Sequence, residues 1–326
     1  MTGTVELIQG LLLSFAVVVI LMPPYLRLLR AVGIGKQIRA EGPDSHLAKG
    51  GTPTMGGLLM LIVIVGAFLV IRGLPPGGII APLATLTLVG VLGAVDDFLN
   101  AKTGEGIRAR QKMLWLVVVA IFAAFQIQRT YQITAIAVPF VGPVAIEPSV
   151  YVAFAAFAII SSANGVNLTD GLDGLAGGTL IFAFVSFLLI ALLNDQPNLA
   201  FLCALIIGAL LGFLWFNVHP AQVFMGDSGS LSLGATLAVT ALISGQILVL
   251  PLIGIVFVIE TLSVLMQVLY FRATHGRRIF RMSPLHHHYE LAGWDEEKIT
   301  LRFWIVGILA GLLGVTLFLA SIGHLT

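Results

Sequence analysis

Gly174 to Leu193 reads GLAGGTLIFAFVSFLLIALL and Leu199 to Asn217 reads LAFLCALIIGALLGFLWFN, with only Asn-Asp-Gln-Pro-Asn between them and no charged side chain in either block. A helix needs about 20 apolar residues to cross the ~30 Å hydrocarbon core of a bilayer, so this stretch reads as two membrane-crossing helices joined by a tight connection. Working outward, comparable blocks occupy about 7–29, 55–71, 79–98, 113–128 and 150–166 before it, and about 229–245, 247–272 and 301–320 after it. The expected fold is therefore an all-α integral membrane protein with ten transmembrane helices. The whole chain of 326 residues is 58% apolar and only 10% charged, with a mean hydropathy of +1.02, which excludes an ordinary soluble domain.

The first block, from Leu7 to Leu29, is too long for a signal-peptide core and has no basic segment before it, so it reads as the first span. Gly and Pro mark the joints, as in Leu74-Pro75-Pro76-Gly77-Gly78, and no fixed repeat divides the chain, which points to one polytopic domain over 1–326. Ile133 to Ile146 alternates weakly around Phe140-Val141-Gly142-Pro143, the pattern of a short β-hairpin at about 133–146. Cys203 is the single cysteine, so disulfides contribute nothing. A formal charge of +1 without basic stripes excludes a nucleic-acid partner.

Charge location sets the orientation. Arg27, Arg30, Lys36, Arg39 and Lys49 share one side with Lys102, Arg108, Arg110 and Lys112, and with Arg272, Arg277, Arg278, Arg281, Lys298 and Arg302. The opposite side carries only Arg72 and Arg129. Basic side chains beside short loops stay cytoplasmic, so both termini are expected to be extracytoplasmic, and the hairpin with them.

The acidic residues do not simply follow the basic ones. Asp96 and Asp97 end the third span, Asp170 and Asp173 join the fifth and sixth, and Asp227 precedes the eighth, all on the cytoplasmic side. A divalent cation is the obvious partner for carboxylates in loops without Lys or Arg. Neighbouring positions on a helix diverge by about 100°, so Asp96 and Asp97 are expected to take different roles; hydrated helix ends are the plainer reading. Asn167, Asp170 and Asp173 recur every three residues and are expected to form one polar ridge, although either Asp could instead cap the sixth span. In Phe224-Met225-Gly226-Asp227-Ser228-Gly229-Ser230 an aspartate sits in a Gly-flanked turn before a helix, suited to phosphate and Mg2+ or else to capping, while Phe224 can stack on a base or merely pack. His286, His287 and His288 follow Arg277, Arg278 and Arg281, which favours anion recognition over a zinc site. Lys49-Gly50-Gly51-Thr52-Pro53-Thr54 allows close backbone approach to a ligand, and Lys112 can serve as a cytoplasmic anchor. Glu260 lies deep in the ninth span near Thr261, Ser263 and Gln267 and requires a polar partner.

Gly51 to Gly57, Asp96-Asp97, Asn167 to Ala176, Phe224 to Ser230, Glu260 to Val264 and Arg281 to Glu290 together resemble the phospho-N-acetylmuramoyl-pentapeptide transferases of the polyprenyl-phosphate N-acetylhexosamine-1-phosphate transferase superfamily. The resemblance covers nearly the whole chain, and Pro284-Leu285-His286-His287-His288-Tyr289-Glu290 is similar to the muramoyl branch in particular. It implies transfer of phospho-N-acetylmuramoyl-pentapeptide from its UDP donor to undecaprenyl phosphate, giving lipid I and UMP with Mg2+, at the cytoplasmic face of the bacterial inner membrane, by a homodimer within membrane lipid. It also implies that Asp227 and Asn167 hold Mg2+, that Asp96 or Asp97 serves the acceptor phosphate, and that Lys112, His286 and His287 contact phosphate or stabilise charge. Phe224, Asn217, Asp170, Asp173, Lys49 and Thr54 would line the nucleotide site, with Ser230 and His288 in the substrate-binding set. The chain departs from the family at Asn100, where a lysine is usual. A sister enzyme using UDP-N-acetylglucosamine would share the acidic motifs.

Overall fold

A computed structural model describes residues 2–35, 50–73 and 79–323. Its elements run α1 (Thr2–Val32), α2 (Gly56–Arg72), α3 (Ile80–Thr103), α4 (Ala109–Tyr131), β1 (Ala135–Val138), β2 (Gly142–Ala145), α5 (Pro148–Thr169), α6 (Leu175–Leu193) and α7 (Pro197–Asn217). They continue with α8 (Gly226–Ile243), α9 (Leu250–Ile253), α10 (Ile255–Ala273), α11 (Leu285–Glu290) and α12 (Glu296–Gly323). Each of the ten apolar blocks becomes helix. Among the described residues, α1, α3, α4, α5, α6, α7, α10 and α12 are the eight helices able to cross a membrane by length and composition, and the chain is a multi-pass, all-α membrane protein.

Two of the ten blocks differ in kind, for physical reasons. The helix α2 has 17 residues, just short of a full crossing. The helix α8 packs between α3 and α5 and is buried at every residue from Ser228 to Ile243. Wrapped by protein, it needs no lipid-facing surface and carries hydroxyls instead. Ser232, Thr236 and Thr240 donate to the carbonyls of Ser228, Ser232 and Thr236 at 2.6, 2.7 and 2.9 Å, so none leaves a donor unpaired in the bundle. The helix α7, against α1 and α6, supplies the apolar centre through Phe201, Leu205 and Phe213.

The ninth block is broken: α9 is one turn, and α10 begins anew after Gly254. Much of α10 is bare, with Leu262, Leu265 and Leu269 exposed, while its inner face meets α5 where Gly165 lies against Thr261. The hairpin forms as the alternation predicts, Ala135 pairing with Ala145 and Val138 with Gly142, and Gly142 takes a φ of 92° at the turn. Glu147 starts α5 by accepting from the amides of Ser149 and Val150, and the Ser149 hydroxyl, more than those amides, holds its carboxyl below the usual carboxylate range.

Candidate active site

The last turns of α3 bring Asp96 and Asp97 to the bundle, and as adjacent helical positions they point apart. Asp97 accepts from the amides of Asp227 at 2.9 Å and Ser228 at 3.1 Å, spending both oxygens on the first turn of α8. A carboxylate there satisfies donors that no intrahelical carbonyl can reach and complements the positive end of the helix. Two glycines make the approach possible. A Cβ at Gly226, whose φ is 74°, would lie 2.3 Å from an Asp97 oxygen, and one at Gly93 would lie 2.3 Å from the Asp227 carbonyl carbon.

Capping by Asp97 frees Asp227 for other work, so Asp227 is not the cap of α8. Its Oδ2 takes a hydrogen bond from the Lys112 ammonium, which also donates to Asp96 Oδ2 at 2.7 Å. Its Oδ1 accepts from Asn167 Nδ2 at 2.8 Å. Asp96 further accepts from the amide of Ile107 at 2.5 Å. Two carboxylates, Asp96 and Asp227, thus meet around one ammonium in the first turn of α4, with Asp97 behind them on the start of α8, a negative balance that suits a hard cation and phosphate bound together. The donor set fits Mg2+: the Asp227 carboxylate and the side-chain oxygen of Asn167 are hard oxygen ligands side by side.

Beside this network lies a cavity of about 250 Å3, lined by Thr54, Asp97, Asn167, Asp170, Asn217, Phe224 and Asp227 and also by Asn100, Gly171 and Leu172. The 50–57 loop and the 224–225 loop are zipped together there: Phe224 donates to the Pro53 carbonyl at 2.8 Å, and Gly56 returns a bond to the Phe224 carbonyl at 2.9 Å. Lys49 falls outside the described residues.

Several expected residues are placed elsewhere. The ridge Asn167, Asp170, Asp173 does not form, because α5 ends at Thr169 and the chain then turns; neither Asp caps α6, whose N-cap is Gly174. Asp173 points away from Asn167, with Oδ2 3.0 Å from His219 Nδ1 and 3.0 Å from the Ala221 amide, while its own amide donates to Glu296 Oε1 at 2.6 Å. His219 and Glu296 were not legible beforehand; an acid in the first turn of a helix is so ordinary that Glu296 gave no signal. Ser230 is fully buried, donating to the Gly226 carbonyl and accepting from Asn167, so it braces Asn167. Asn217 holds the loop by accepting from Gly174 and donating to Val223.

The three histidines diverge on α11. His286 is fully buried and finds the deep acid of α10: Nδ1 lies 3.1 Å from Glu260 Oε2, and its amide donates to Glu260 Oε1 at 3.2 Å. His287 pairs with Glu290 at 2.6 Å. His288 Nδ1 accepts from the Arg281 amide at 3.1 Å, so this ring fastens the loop and is a structural member of the set. Gln267, the other polar interruption of α10, accepts from the amides of Ile279 and Phe280 and straps the same loop to the helix.

The sequence matches the family model described as glycosyl transferase family 4 over residues 79–245. It is 43% identical over 314 residues to a phospho-N-acetylmuramoyl-pentapeptide-transferase of Geobacillus sp. (strain WCH70), covering 95% of this chain and 97% of the relative. It is 44% identical over 316 residues to the protein of that name from Geobacillus kaustophilus, covering 95% and 97%. To that of Desulforamulus reducens it is 42% identical over 315 residues, covering 93% of each.

Proposed function

The chain belongs to glycosyl transferase family 4, among its phospho-N-acetylmuramoyl-pentapeptide transferases, and on that premise we propose that it transfers phospho-N-acetylmuramoyl-pentapeptide from its UDP donor to undecaprenyl phosphate, yielding lipid I and UMP. The observation that carries this reading is the Asp96–Lys112–Asp227–Asn167 network beside a cavity with Phe224 and Asn217 in its wall. An oxygen of the acceptor phosphate attacks the sugar-bearing phosphorus, and the bond from that phosphorus to the UMP oxygen breaks. Phosphoryl transfer of this kind asks the protein for position and charge neutralisation rather than covalent chemistry.

The residues divide that work. Lys112 neutralises charge near the transferring group, and Asp96, hydrogen-bonded to the same ammonium, keeps it in place. Asp227 and Asn167 hold Mg2+, which when bound offsets the charge that develops on the departing UMP. Phe224 offers an aromatic face to the base. The aspartates lie at the cytoplasmic face of the bacterial inner membrane, ten spans including α2 and α8 leave both termini outside, and the chains pair as a homodimer.

Purified protein in detergent, given undecaprenyl phosphate, Mg2+ and either UDP-N-acetylmuramoyl-pentapeptide or UDP-N-acetylglucosamine, tests the reading. Lipid-linked product and UMP should form with the first donor alone and should stop on chelation. Product from the N-acetylglucosamine donor would assign the sister activity.

A further inference from the structure

Glu260 and His286 are both fully buried, one from the middle of α10 and the other from the start of α11. Both carboxylate oxygens are engaged: Oε1 accepts from the His286 amide at 3.2 Å, and Oε2 lies 3.1 Å from the ring at Nδ1. Where Oε2 accepts, as Oε1 does, the ring proton sits on Nδ1. That leaves Nε2, which is buried and has no hydrogen-bond partner among the described residues. It abuts position 171, where an added Cβ would lie 2.2 Å from Nε2. Gly171 lines the donor cavity on its other side. The wall between this nitrogen and the cavity is one glycine thick.

An unpaired polar atom in a buried place costs free energy, on the order of 1–3 kcal/mol, and is kept where it has a task. The geometry points to Glu260 as the positioning residue of His286: it fixes the ring proton on Nδ1 and so presents Nε2, as the acceptor nitrogen, to the donor at the Gly171 wall. The hydrogen bond made by one imidazole nitrogen decides what the other can do. The inference rests on the donor cavity proposed above, but the tautomer itself does not depend on which donor fills it.

Two substitutions separate this role from packing. Glu260→Gln keeps the shape, but an amide has one acceptor and one donor end. With its oxygen on the His286 backbone N–H, its NH2 faces Nδ1 and drives the proton to Nε2. Glu260→Asp keeps two acceptors and loses a methylene. A carboxylate that merely fills space is replaced better by Gln; one that sets the tautomer is replaced better by Asp.

The experiment combines nitrogen NMR of 15N-histidine-labelled protein in nanodiscs with steady-state turnover. The His286 signals are assigned among the seven histidines by their loss in His286→Gln. The wild type should show a protonated Nδ1 and a bare Nε2 whose resonance moves on addition of UDP-N-acetylmuramoyl-pentapeptide, and Glu260→Gln should show the reverse tautomer. By analogy with other carboxylates that orient a functional histidine, Glu260→Gln should lower kcat about 10- to 100-fold with donor KM nearly unchanged, and Glu260→Asp should lose less. A wild-type proton on Nε2, an Nε2 resonance unmoved by the donor, or Glu260→Gln turning over as fast as Glu260→Asp would overturn the inference. Should a variant fail to fold, the wild-type tautomer and its donor response still decide the matter. Wild-type protein that makes no lipid-linked product would refute the proposed function instead, and that control is read separately.

Discussion

Asp227 carries more of the proposed chemistry than any other side chain, touching Lys112 and Asn167 through different oxygens. Asp227→Asn retains the shape and one acceptor, so thermal unfolding should stay close to wild type while kcat falls at least about a hundredfold, through weaker metal holding and a less anchored Lys112. Folded variant with near-normal turnover would remove Asp227 from the metal set. Asn100 lines the same cavity, at the position where the family usually has lysine. Asn100→Lys adds an ammonium facing the carboxylates, and an extra half-exposed ion pair of about 0.5–1 kcal/mol should lower donor KM roughly two- to fivefold. A higher KM in folded protein would mean that the cavity has been rebuilt around the amide. These residues were legible in sequence because carboxylates in cation-free loops beside a membrane demand a partner. The orphan nitrogen of His286 was not, since nothing in His-His-His tells which ring faces Glu260. Nor was the turning away of Asp173, which depends on His219 and Glu296 approaching from distant segments.

Among the elements, α8 sets the geometry, because its first turn is capped from α3 and its length is enclosed by α3 and α5. Gly93 is a point of close backbone contact, with the Asp227 carbonyl where a Cβ would stand. Backbone has no rotamer to give way, so Gly93→Ala should cost about 1–3 kcal/mol and abolish most activity by prising Asp227 from Asp97. Gly66, inside α2 with open space around it, is the control: Gly66→Ala should leave turnover intact and stabilise by up to about 0.5–1 kcal/mol. Differential scanning calorimetry in one detergent compares the two, and equal midpoints would contradict the packing argument. The apolar blocks made α8 legible as a helix. Its enclosure was less so, because a hydroxyl-bearing helix inside a bundle and a weak span outside one share the same composition.

Across the whole molecule, the acceptor has a long hydrocarbon tail that leaves lipid only at great cost, yet its phosphate must reach Asp96 and Lys112. Lateral access between α5 and α10 reconciles the two requirements. The breaks at Gly254 and after Ala273, the exposed leucines of α10 and the loop strapped down by Gln267 all suit a helix with one side open to lipid. Ser161, one turn before Gly165 on α5, and Val268, two turns beyond Thr261 on α10, are both exposed there. Ser161→Trp or Val268→Trp should raise KM for undecaprenyl phosphate several-fold while leaving donor KM in place; a parallel rise in both would argue for another route. The apolar run of the ninth block made α10 readable as a helix, whereas its break is one that Gly254 alone does not announce.

The clamp on Asp173 has a further consequence, for the timing of biosynthesis. Its amide rests on Glu296 and its carbonyl takes the Thr300 hydroxyl, both in α12, which is synthesised after every other described element. Helices are inserted in order, so the turn that follows the Asp170–Leu172 wall of the cavity is unbraced until α12 arrives. A nascent chain can therefore gather its aspartates long before that wall is braced, and competence comes only once α12 has docked.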